Sequence, residues 1–144
     1  MKKTIVALLV VFTLLVPRLH AGINKQATAD VNAVAAVVAE GERDNVVWFL
    51  IDSDSEKAAQ MRIPMMVAKN EINRIPNKGE AHEALVRLLG RLMAREKAAL
   101  DSRRFAYARL KAFSQKDPAA KKVLEEATEA VMARDADPLA PKLK

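Results

Sequence analysis

Apolar residues recur along this chain at intervals of three and four, the spacing that lays side chains along one face of an α-helix. Ala27, Val31, Val34, Ala35 and Val38 make the first such stripe, which stops at Gly41, a residue suited to a helix C-cap. Asp44 is placed to cap a second helix carrying Val46, Val47, Trp48, Phe49, Leu50 and Ile51. That run is too dense for an amphipathic surface helix, so it predicts a fully buried segment, with a short buried strand as the rival. Ser53-Asp54-Ser55-Glu56 has the spacing of a capping box and predicts a third helix. Pro64 removes a backbone donor inside the next pattern, so a break is expected between Ile63 and Met65, with the helix resuming through Met65, Met66, Ile72 and Ile75.

Pro76-Asn77-Lys78-Gly79 reads as a turn. From Glu80 to Gln115 no proline intervenes, and Leu85, Leu88, Leu89, Leu92, Ala99, Leu100, Tyr107, Leu110 and Phe113 form a near-continuous stripe. This predicts one long basic amphipathic helix with a bend near Gly90 or Asp101-Ser102. Asp117-Pro118 is an N-cap followed by a first-turn proline, and Val123, Leu124, Ala127 and Val131 give a final helix its buried face. No segment reads convincingly as a strand. The fold class that follows is all-α, a single small bundle of four or five helices.

Two segments fall outside that bundle. Met1-Lys2-Lys3 precedes an apolar stretch from Thr4 to Val16, and Pro17-Arg18-Leu19-His20-Ala21 ends it on a small residue, the layout of an export signal cleaved near Gly22. A spanning helix needs roughly 20 apolar residues, more than this stretch offers, so no stable membrane span is expected after cleavage. At the other end, residues 135–144 contain Pro138 and Pro141 with little to bury, and read as a disordered tail. The domain expected to fold is therefore 22–134, in a periplasmic or secreted location.

Composition sharpens this picture. With no cysteine, an exported domain has neither a disulfide nor an acceptor for lipid attachment, and must be held by packing. The whole chain carries a net charge of +6; without Lys2, Lys3 and Arg18 it has 21 basic residues against 18 acidic ones, near +3. The charge is unevenly placed. From Asp30 to Lys57 seven acidic residues face two basic ones, whereas from Ala84 to Lys122 eleven basic residues face three acidic ones. Arg87, Arg91 and Arg95 are spaced by four, one guanidinium row along a helix, followed by Arg103 and Arg104. Such a row is either a solvated face balanced by the acidic N-terminal third folding against it, or an anion-recognising surface, since guanidinium forks pair with carboxylate and phosphate.

The catalytic inventory is thin. Beyond the leader the single histidine is His82, beside Glu83 near a helix start and expected to be exposed, and one imidazole does not assemble a zinc site. Asp52-Ser53-Asp54-Ser55-Glu56 begins like a calcium loop, but Lys57 stands where glycine is needed and Ile63 where the closing glutamate is needed. No catalytic residue, metal or cofactor is expected. No aromatic ladder interleaves the arginines, which disfavours nucleic acid.

The functional expectation is an exported, non-enzymatic helical protein that docks to another cell-envelope component, either a protein partner or an anionic surface. Arg87, Arg91, Arg95, Arg103 and Arg104 are its expected anchors, with self-association as a further use of its helix faces. A place in a secretion or conjugation assembly, or a chaperone-like role, fits equally. The alternative is a small cell-wall hydrolase with paired carboxylates, for which Glu40 and Glu42, just ahead of the apolar run, are the candidate acids.

Overall fold

The computed structural model describes residues 25–135; the expected leader at 1–21 and the expected tail beyond Asp135 lie outside the described residues. Seven α-helices make up this part, more than the four or five expected: α1 (Lys25–Ala35), α2 (Arg43–Asp52), α3 (Ser55–Ala58), α4 (Arg62–Asn73), α5 (Glu80–Ala94), α6 (Leu100–Ser114) and α7 (Pro118–Asp135). A single 3-10 turn, Glu40–Glu42, precedes α2. Among the described residues there is no strand, only an isolated bridge between Asp54 and Ala98.

The apolar spacing places the helices where it should, and local hydrogen bonding moves their ends. The first helix ends at Ala35, and Gly41 falls inside the 3-10 turn instead of capping a helix. Asp44 lies in the first turn of α2, whose N-cap is Glu42. The dense run is helical, with Val46, Phe49 and Leu50 buried on one face and Val47, Trp48 and Ile51 packed partly against the core, so the strand alternative is excluded. The capping box is shifted by one residue. Buried Ser53 donates its hydroxyl back to Phe49 O at 2.8 Å, and Asp54 is the N-cap of α3, accepting from the Lys57 amide at 2.8 Å. Pro64 lies in the first turn of α4, where its missing N–H has no helical partner to lose; the break therefore precedes it, at residues 59–61. Met65 and Ile72 are buried on α4, and Ile75 just beyond it, whereas Ile63 and Met66 face outward.

The expected long helix is two. Arg95 turns extended, and residues 95–99 leave the helical path to dock on the α2–α3 connection, with Ala99 N donating to Ser53 O at 2.6 Å and Ser55 N to Lys97 O at 3.3 Å. Ala98 and Ala99 are buried by this contact. The chain thus breaks at neither Gly90 nor Asp101-Ser102. Gly90 sits within α5, where a β-carbon would collide with Val123 Cγ1 of α7, so its lack of a side chain permits a close α5–α7 approach.

Helix α5 is the hub. It packs against α1, α6 and α7, and less extensively against α2. His82, Ala84, Leu85, Val86, Leu88, Leu89, Gly90, Leu92 and Met93 are all buried, leaving Glu80, Glu83, Arg87 and Arg91 as a narrow exposed ridge. Helix α2 packs mainly on α4 and is tied to α6 by an edge-to-face contact between Phe49 and Phe105, with centroids 5.4 Å apart. No helix among the described residues is long and apolar enough to cross a membrane.

Candidate functional site

The five arginines singled out from the sequence do not form one row. Arg87 crosses to α1 and grips Asp30, with Nη2 at 2.9 Å and Nε at 3.1 Å from the carboxylate oxygens. Asp30 is only 2% exposed and also accepts from Gln26 Nε2 at 3.0 Å. The hydrogen bond to Asp30 raises the pKa of Arg87 above its ordinary value, with partial burial opposing it. The acidic N-terminal third does fold against the arginine row, at this point and near Arg95.

Arg95 turns inward, donating to Ile51 O at the end of α2. Burial depresses its pKa, while Asp52 and Asp54 nearby act the other way. Arg103, 4% exposed, donates its Nε to Met93 O at 3.1 Å, and Arg134 of α7 donates to the neighbouring carbonyl of Ala94 at 2.5 Å. Two guanidinium groups thus close the C-terminal end of α5, where exposed carbonyls and the helix dipole favour cations. Arg91 and Arg104 are exposed.

Several outward cations lie on α6 and around the start of α7. Arg104, Tyr107 and Lys111 follow one another along the outer face of α6, and Lys116, Lys121 and Lys122 continue around the corner. Tyr107 is 40% exposed, and Lys111 Nζ lies 5.9 Å from its ring centroid. Further along α7 the exposed charges change sign to Glu125, Glu126 and Glu129.

His82 departs from expectation. It is buried, 5% exposed, because it occupies the third position of α5 in register with Leu85 and Leu89. Its Nε2 lies 2.9 Å from Asp117 Oδ2, and its ring meets Phe113 edge-on at 4.7 Å. Asp117 Oδ1 meanwhile accepts the Ala119 amide at 3.0 Å, the N-cap role expected of it. The hydrogen bond to His82 holds the Asp117 carboxyl below its ordinary pKa, helped by the amides of Ala119 and Ala120 against a smaller cost of burial. His82 Nδ1 is buried without a hydrogen-bond partner among the described residues. The pair ties the first turn of α5 to the α6–α7 corner.

Glu40 is exposed, and Glu42 is half-buried and accepts from Asn45 Nδ2 at 3.0 Å, so the apolar run encloses neither carboxylate. Among the described residues no three His, Asp or Glu side chains gather to hold a metal ion.

Register with apolar neighbours separates the inward charges from the outward ones. Asp30 falls between Ala27 and Val34, Arg103 three residues before Ala106, and Arg134 three after Val131, each on a buried stripe. That register was the available signal for an inward role. Comparison with known proteins finds no matching family, no matching curated protein and no matching solved structure.

Proposed function

We propose that this chain is an exported, non-enzymatic helical protein that docks to an acidic protein partner in the cell envelope through the outer face of α6 and the first turn of α7. The observation that carries this reading is the sorting of the basic residues. Arg87, Arg95 and Arg103 serve the fold, while Arg91, Arg104, Lys111, Lys116, Lys121 and Lys122 remain exposed, with Tyr107 among them. The exposed Tyr107 supplies an amphipathic contact and Arg104 a guanidinium, two residue types enriched at interfaces, while the surrounding lysines supply charge at the rim.

The recognition element thereby moves from α5 to α6, because α5 offers a partner only its narrow ridge. Reversing Arg87, Arg91 and Arg95 together is not a clean test, since two of the three hold the bundle together. The informative variant is R91E/R104E/K111E. A photo-crosslinking amino acid at Tyr107, compared with one at Asn70 on α4, is expected to trap a discrete envelope protein in intact cells. That adduct should weaken in the triple variant and with rising salt, since exposed charges are screened over about 8 Å at physiological ionic strength. Equal adducts from both positions, or a chain retained in the cytosol on fractionation, would overturn the reading.

A further inference from the structure

At the corner where the Pro76–Gly79 turn meets the end of α6 and the start of α7, a cleft of about 360 Å³ opens beside the His82–Asp117 pair. Arg109 and Lys116 line it together with Asn77 and Phe113. The Arg109 guanidinium carbon sits 4.6 Å from the Phe113 ring centroid, so the aromatic face fixes the plane of the fork. Its Nε is buried without a hydrogen-bond partner among the described residues, and neither Arg109 nor Lys116 meets a carboxylate among them. Asp117, the one acid on this wall, has one oxygen held by His82 and the other by the α7 amide of Ala119. A second cleft of about 670 Å³ shares Asn77 and the His82–Asp117 pair with the first and is lined also by Lys78, Arg87 and Lys122 and by Glu83 and Glu126.

The geometry points to a binding site for one oxyanion group, a carboxylate or a phosphate, in the Arg109–Lys116 cleft. A stacked guanidinium presents two parallel N–H donors at little cost in side-chain entropy, and a flexible ammonium beside it adds a point charge. The Asn77 side chain, on the opposite wall, supplies a neutral donor or acceptor. The volume exceeds that of a single oxyanion, so the ligand is a small organic anion, its remainder extending toward the second cleft. This site shares Lys116 with the docking face, but Arg104 and Lys111 do not line it, so changes at those two residues tell the two apart.

The test is a titration of the full chain, followed by amide NMR, with inorganic phosphate and separately with succinate at constant ionic strength. Saturable shifts confined to residues 76–83 and 109–119 are expected for one or both; phosphate alone identifies a phosphate site and succinate alone a carboxylate site. R109Q should weaken the binding about tenfold or more and K116Q several-fold, whereas R109K, which keeps the charge but loses the fork, should fall between wild type and R109Q. Lys116 is exposed, so K116Q leaves the fold intact and is decisive if R109Q fails to fold. Shifts reproduced by sodium chloride, the absence of saturation with either anion, or unchanged affinity in K116Q and R109Q would overturn the assignment. R91E/R104E/K111E should bind the anions as wild type does, which separates this site from the docking face.

Discussion

The flank of α5 that meets α1 and the outer face of α6 carry the same kind of residue under different conditions. On the first, Arg87 holds a buried carboxylate in a two-pronged grip 57 residues distant in sequence. On the second, Arg104 and Lys111 stand in water beside an exposed tyrosine. Charge alone does not distinguish them. What differs is the partner that register supplies: Asp30 lies on the apolar stripe of α1, so folding carries its carboxylate out of water, and a cation has to follow it. Among the described residues Asp30 is the one fully buried acid, whereas Arg104 and Lys111 on the outer side of α6 are exposed.

The strongest way to break this contrast is to remove the inward pair. R87M leaves Asp30 buried without its cation and is expected to destabilise the protein by about 2–4 kcal/mol in urea unfolding, below the full value for a buried pair because Arg87 is itself partly solvated. Adding D30N should recover much of that loss, and a double-mutant cycle showing no coupling would contradict the assignment. Next in size is G90A. Its new methyl group meets Val123, and the overpacking, about 1–3 kcal/mol, outweighs the gain of about 1 kcal/mol in helix propensity, so a net loss near 1 kcal/mol should appear in thermal unfolding. A stabilised G90A would show that α7 does not approach α5 so closely.

A subtler effect comes from the α6–α7 corner. Because its folded-state pKa is lowered, Asp117 contributes stability that is present above the ordinary aspartate value of about 3.9 and lost as pH falls through the depressed value. In D117N the acid limb of the stability profile should be shallower, and neutral-pH stability should drop by about 1 kcal/mol through the weakened cap and histidine tie. An acid limb identical to wild type would place the titrating group elsewhere. Smallest of all should be R91E/R104E/K111E, within about 0.5 kcal/mol of wild type, as expected for surface positions.

How far the sequence reveals this molecule depends on which interaction decides each feature. Helix positions are legible where apolar spacing decides, as at Val46–Ile51 and Leu85–Leu92, because burying a stripe fixes the face. The break at Arg95–Ala99 is not. All five residues there, Arg95, Glu96, Lys97, Ala98 and Ala99, are good helix formers, and what ends α5 is a tertiary docking onto Ser53–Ser55. Likewise the cap at Asp54 in place of Ser53 turns on Ser53 hydrogen-bonding back to Phe49, a choice between two adjacent oxygens. Of the basic residues, the inward role of Arg103 was readable from its register with Ala106 and Leu110. That of Arg87 was not, since its partner lies on another helix.

The division of labour between inward and outward arginines is tested most directly by comparing urea midpoints for R87E and R91E/R104E under identical conditions. The structure predicts a large fall in midpoint for the single change and a smaller one for the double, whose residues are exposed, despite its twofold greater charge reversal. A double variant as unstable as R87E, or an R87E as stable as wild type, would contradict it.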